Sequence, residues 1–175
     1  WEVSYVGHPL VEETETMISR EREAPLSTKQ IVALLPGSRK QEISKKLPVM
    51  LEASRSFPAY QFIVAKAPGT DESFYQDMLQ SYPGVSYVNN RTYELLLQSK
   101  AALVTSGTAT LETALLGIPE VVCYKGSAIS YQIAKRVIKV KYISLVNLIM
   151  DKLVVKELIQ HDFTVENVCA ELHEL

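Results

Sequence analysis

At 175 residues, 47% of them hydrophobic and 22% charged, the chain has the length and composition of one globular domain with a sizeable core. A formal net charge of -2 excludes a generally basic nucleic-acid binder. The two cysteines, Cys123 in an expected buried strand and Cys169 in an expected helix, give neither a disulfide framework nor metal-ligand spacing, which suits a reducing cytoplasm.

The amino terminus WEVSYVGHPLVEE is acidic and lacks the apolar core of a signal peptide, and Trp1 is no initiator Met, so a piece or processed form of a longer chain is expected. Gly7-His8-Pro9 reads as a tight turn. His8 lies outside the carboxy-terminal segment that holds the other histidines, and it is either structural or a ligand contact. Residues 12–25 carry five glutamates against Arg20 and Arg22, the pattern of a solvated helix or linker face. Ile31 to Leu35 is a continuous apolar run, as expected for a parallel strand covered on both sides. Pro36-Gly37-Ser38-Arg39 follows directly and leads into a helical pattern through Ile43, Leu47, Met50 and Leu51, with a break or restart expected at Pro48. Loops at the carboxyl ends of parallel strands are where open α/β sheets bind ligands. Gly37, Ser38 and Arg39 are therefore candidate phosphate contacts, the Arg39 fork suiting phosphate oxygens, unless Arg39 is only a surface residue at a helix start.

Tyr60 to Ala67 is a further strand, with Lys66 near its end, and a loop then enters a helix over 72–81. Pro83-Gly84 turns the chain into a strand over Val85–Asn89, and Asn90-Arg91-Thr92 leads into a helix over 93–99 that Thr92 is placed to cap. Next comes a complete βαβ unit. Ala101 to Thr105 is a short apolar strand, Ser106-Gly107-Thr108 a polar turn, Leu111, Ala114 and Leu115 one face of a helix, Gly117-Ile118-Pro119 a stop, and Glu120 to Tyr124 the next strand. A strand feeding such a turn into a helix leaves backbone N–H groups unpaired at the positive end of the helix dipole, which suits phosphate. Ser106, Gly107, Thr108 and Ala109 are candidates for that contact. Glu112 lies on the same helix face one turn deeper, where its carboxylate would accept hydrogen bonds from both hydroxyls of a ribose. The bland alternative is that Ser106 or Thr108 caps the helix and Glu112 favours its dipole; no capping box accounts for the carboxylate.

The segment 121–150 holds five basic residues and no acidic one. Over 129–140 an apolar stripe leaves Lys135, Arg136 and Lys139 largely off it, either a solvated basic face or a surface for lipid phosphate and a membrane interface. The apolar stretch 143–150 is interrupted by Ser144 and Asn147 and is far too short to span a bilayer. The end of the chain, from Val165, is helical.

SGTATLE at 106–112, LPGSR at 35–39 with Glu42-Ile43 behind it, YVGHP at 5–9 and YISLVNLI at 142–149 together resemble the carboxy-terminal half of lipid-A-disaccharide synthase, in the same order and over nearly the whole chain. The resemblance implies an α/β fold, a Rossmann-like three-layer domain with a parallel sheet that forms one half of a GT-B glycosyltransferase. It implies a single UDP-sugar-binding domain, with 1–30 as lead-in and linker, 31–160 as the βα core, and 161–175 as a closing helix that stops early for the family. The implied reaction transfers 2,3-diacylglucosamine from its UDP derivative to a lipid monosaccharide phosphate, giving the lipid A disaccharide and UDP, without metal or other cofactor; the sequence has no Asp-x-Asp motif. The general base and acceptor site would lie in an amino-terminal domain outside this chain. That leaves no catalytic residue here beyond His8, a cytoplasmic setting with peripheral contact to the inner membrane, and no nucleic-acid partner. In related nucleotide-sugar transferases the base is read after the third strand, which makes Asn90, Arg91 and Tyr93 the expected uracil contacts. The resemblance also marks Tyr142, Ser144 and Asn147 as matching positions, and Lys156-Glu157 as a departure from Pro-Glu at the start of an expected helix. Another UDP-sugar enzyme, an epimerase or a peptidoglycan glycosyltransferase, and a non-catalytic UDP-sugar binding module are the alternatives. LPGSR and YISLVNLI argue against the first.

Overall fold

The computed structural model describes residues 4, 7–19, 24–126 and 141–175. Helix α1 (Pro9–Ser19) precedes a regular alternation: β1 (Ile31–Leu35), α2 (Lys40–Ser54), β2 (Gln61–Lys66), α3 (Glu72–Leu79), β3 (Val85–Asn89), α4 (Thr92–Leu97), β4 (Ser99–Thr105), α5 (Thr108–Leu115) and β5 (Glu120–Tyr124). After them come α6 (Leu145–Met150), β6 (Lys156–Ile159) and α7 (Val165–Glu174). The six strands form one sheet in the order β3-β2-β1-β4-β5-β6, every neighbouring pair parallel.

Period-two alternation along the central strands divides the core between two faces. Val32 and Leu34 of β1, with Ala101 and Leu103 of β4, join Ile43, Leu47 and Met50 of α2, Tyr75 of α3 and Val168 of α7. Ile31, Ala33 and Leu35, with Ala102 and Val104, face the other way and meet Leu95 and Leu96 of α4 and Leu116 after α5. A sheet covered on both sides needs strands that are apolar throughout, which is why all of β1 is buried. The edge strand β3 is half exposed.

Sheet order determines where a ligand can enter. The chain proceeds from β1 outward through β2 to β3, then returns to the far side of β1 as β4 and continues through β5 to β6. The crossovers after β1 and after β4 therefore leave in opposite directions, and a crevice opens between them at the carboxyl ends of these two strands. Leu35 pairs with Val104, so the loops that follow start level with each other.

Three local expectations need correction. Pro48 neither breaks nor restarts α2, which runs from Lys40 to Ser54 with the proline inside it. Pro48 and Ser44 both face solvent, where water can satisfy the carbonyl that loses its donor, while buried Leu47, Met50 and Leu51 hold the helix to the sheet. Thr92 does not cap α4; it is the first helical residue, the cap position falls on Arg91 without a side-chain bond, and Ser99 already belongs to β4. Lys156-Glu157 opens strand β6 rather than a helix, because this segment pairs along β5 from Val121 to Tyr124 and closes the sheet edge. The basic stripe with Lys135, Arg136 and Lys139 lies outside the described residues, as do Tyr5, Val6 and Arg20.

Candidate functional site

The loop after β1 and the turn after β4 meet at the crevice. Gly37 has φ +115, and a Cβ built on it would fall 2.8 Å from a Glu42 carboxylate oxygen and 3.4 Å from the Thr105 methyl, so this position demands glycine both for its backbone and for the space. Gly107 has φ 152 and ψ -164, a region open essentially to glycine alone, and it forms the cap position of α5 without any side-chain bond. Ser106 donates instead to the Ile143 carbonyl at 2.9 Å. The bland capping role therefore falls away for both Ser106 and Thr108, and the first N–H groups of α5 have no side-chain acceptor from the turn. The amino end of α2 is likewise without a side-chain cap at Arg39. Two helix amino termini, both directed to one crevice, form a place for a ligand with two phosphates.

Arg39 and Ser38 are exposed at its rim, Arg39 held by Glu42 at 3.4 Å. Beneath them runs a polar line that the sequence reading missed. Lys46 is only 3% exposed, donates to Thr105 Oγ1, lies 3.9 Å from Glu42 and faces the Tyr124 ring. Burial pushes its ammonium below the ordinary lysine value, with Glu42 pulling the other way. A signal existed: Lys46 is four residues after Glu42 and occupies the apolar stripe of Ile43, Leu47 and Met50.

Glu112 is half-buried on α5, close enough to Tyr93 of α4 for each side chain to shift the other's protonation. Burial raises the Glu112 carboxyl above the usual carboxylate range, opposed by the nearby Tyr93 hydroxyl and reinforced by Glu13 of α1. The Tyr93 phenol, buried beside the same carboxylates, is pushed up to about 12. The structure thus brings Tyr93, an expected uracil contact, beside Glu112, an expected ribose contact. Asn90 is exposed with φ 54, and Arg91 pairs with Glu94 on its own helix. His8 caps α1: its Nδ1 accepts from Leu10 N at 3.2 Å and its carbonyl accepts from Val11 N.

Ser144 and Asn147, both fully buried, are scaffold rather than ligand contacts. Glu157 on β6 accepts from Ile143 N, Ser144 N, Ser144 Oγ and Asn147 Nδ2, at 2.8–3.2 Å. Asn147 Oδ1 in turn accepts from Val154 N and Val155 N. This hub fixes the carbonyl of Ile143 that receives Ser106, so the turn is braced from the sheet edge. Among the described residues no group of three or more His, Cys, Asp or Glu side chains could hold a metal ion, and no helix is long and apolar enough to cross a membrane.

The model of the lipid-A-disaccharide synthetase family matches residues 1–175. The chain belongs to that family. A lipid-A-disaccharide synthase of Syntrophus aciditrophicus is 42% identical over 181 residues, covering 98% of this chain and 47% of the relative. The chain spans about half the length of the curated relatives it matches. Among solved structures, the Escherichia coli ADP-heptose lipopolysaccharide heptosyltransferase II superposes with a TM-score of 0.57 at 13% identity, over 97% of this chain and 52% of that one. A Listeria monocytogenes protein described as a UDP-N-acetylglucosamine 2-epimerase gives 0.54 at 14% identity, over 99% and 40%. Those likenesses show the fold alone. It is the Rossmann-like fold of one half of a GT-B glycosyltransferase.

Proposed function

We propose that this chain is the donor-binding half of a lipid A glycosyltransferase, holding UDP-2,3-diacylglucosamine while 2,3-diacylglucosamine passes to a lipid monosaccharide phosphate and UDP leaves. The observation that carries the reading is the pair of uncapped helix amino termini, after Gly37-Ser38-Arg39 and after Ser106-Gly107, opening on one crevice at the switch point between β1 and β4. The diphosphate lies across residues 37–39 and 106–109, and Glu112 takes the ribose hydroxyls. The uracil then lies toward Asn90, Arg91 and Tyr93. Phosphate charge is met by helix termini and by Arg39 without a divalent ion. The acceptor and the general base belong to the other half of a longer protein. The working site is the cytoplasmic face of a membrane, with Lys135, Arg136 and Lys139 meeting lipid phosphate.

Calorimetric titration with UDP, UDP-N-acetylglucosamine and ADP tests the reading. UDP and its sugar are expected to bind at least about tenfold more tightly than ADP. Equal affinity for ADP, or no binding of UDP, overturns it.

A further inference from the structure

A lysine in the apolar stripe of a helix is costly unless its charge is fully matched. Lys46 sits in the stripe of α2 that covers the sheet, and its ammonium carries three N–H donors into the core. Thr105 Oγ1 accepts one of them. The Glu42 carboxylate stands at 3.9 Å, outside hydrogen-bond reach, and the Tyr124 ring centroid at 5.9 Å. The match is incomplete. Each of these partners lies next to the crevice: Glu42 directly under Gly37, Thr105 immediately before Ser106, and Tyr124 as the last residue of β5. One ammonium on α2 is therefore bonded to the end of β4 and faces the end of β5, beneath the floor that the two loops share.

We propose that Lys46 is the buried counter-charge for a diphosphate bound across residues 37–39 and 106–109, a positioning residue that acts through Thr105 and Glu42 without touching the ligand. The inference rests on reading the crevice as a nucleotide-sugar site. Glu42 is shared between Lys46 and Arg39, so the three side chains together present one net positive charge to whatever the loops hold. The other groups around the ammonium do not cancel it: Lys45 on α2 adds a like charge, and burial keeps the Cys123 thiol of β5 neutral. Because the ammonium is itself buried away from water, its charge acts over several ångströms. The same charge fixes the gap between the loops, because it ties α2 to the end of β4.

The test compares UDP with uridine, which lacks the phosphates, by calorimetry on the intact protein that carries this chain. Lys46→Met keeps the unbranched stem and removes the charge. It is expected to weaken UDP about tenfold and to leave uridine within about twofold. Equal losses for both ligands, or unchanged affinity for both, overturn the proposal and make Lys46 a packing residue. An unaltered protein that binds neither ligand refutes the nucleotide reading itself, a result distinct from any produced by the variant. If Lys46→Met does not fold, the unaltered protein supplies the measurement: burial lowers this ammonium below the ordinary lysine value of 10.5, so the ratio of UDP to uridine affinity should fall as pH rises to that value and the ammonium loses its proton. Proton loss from uracil cancels in that ratio, and a flat ratio overturns the proposal.

Discussion

Two carboxylates on the same face of the sheet differ in what surrounds them, and the difference sorts function from fold. Glu112 is half-buried beside Tyr93, at the helix that opens on the crevice, where its carboxylate can accept from ribose hydroxyls. Glu112→Gln keeps the side chain's shape and is expected to cost about 1–3 kcal/mol of UDP affinity with little change in melting temperature. If the carboxylate served only the helix dipole, stability would drop by a few tenths to about 1 kcal/mol and UDP binding would hold or improve. Glu120 is 3% exposed at the start of β5, away from the crevice, and neither of its carboxylate oxygens has a hydrogen-bond partner. Burial pushes its carboxyl from 4.5 to about 9. Between those values the folded chain keeps a proton that the unfolded chain has released, so stability is full below the lower value and declines with rising pH, by at most about 1.4 kcal/mol per unit. Glu120→Gln should flatten that decline. Denaturant melts at several pH values between about 5 and about 9 check it, and parallel profiles for the two proteins would show that Glu120 is not the titrating group.

Elements that follow one strong local pattern were legible in the sequence, and those stabilised across long separations were not. The βαβ unit from β4 to β5 could be placed because its apolar runs, glycines and Pro119 are all local signals, and the crevice could be placed from Gly37-Ser38-Arg39 and Ser106-Gly107. Strand β6 could not. Its residues Lys156–Ile159 are polar at one end and become a strand only by pairing with β5, more than thirty residues earlier. Pro48 misled for a related reason, since tertiary packing of Leu47, Met50 and Leu51 outweighs one lost helix bond. Ser144 and Asn147 were visible as a pattern, but their role depends on Glu157, ten or more residues away. That brace can be tested. Glu157→Ala strands the N–H groups of Ile143 and Ser144 and leaves the Asn147 amide with Val155 O as its one remaining acceptor, so it should cost about 3 kcal/mol or more of stability. It should also weaken UDP binding, because Ser106 hangs from the same loop. A loss below about 1 kcal/mol would show that β6 holds without the hub.

At the scale of the molecule, the sheet presents a single wall of a ligand crevice. The loops after β1 and β4 supply two helix termini and Arg39, and α5 supplies Glu112, groups that on the proposed reading meet the diphosphate and ribose of a donor, while the general base is proposed to lie in the other half of a longer protein. His8, the one catalytic candidate in the sequence, has its Nδ1 occupied as an acceptor in the cap of α1. The chain also spans about half the length of its relatives. Binding energy and catalysis should therefore separate cleanly when this chain is expressed alone. UDP is expected to bind, more weakly than to the full-length protein because one side of the ligand stays solvated, and transfer of sugar to a lipid monosaccharide phosphate should be undetectable. Mixing the chain with a separately produced amino-terminal half should restore activity, in proportion to how far the two halves associate. Radiolabelled-donor transfer assays on the chain, on the other half and on the mixture measure this. Disaccharide formed by the chain alone would place the general base among these 175 residues and would reopen His8, whose exposed ring would then have to exchange its capping bond for the acceptor's proton.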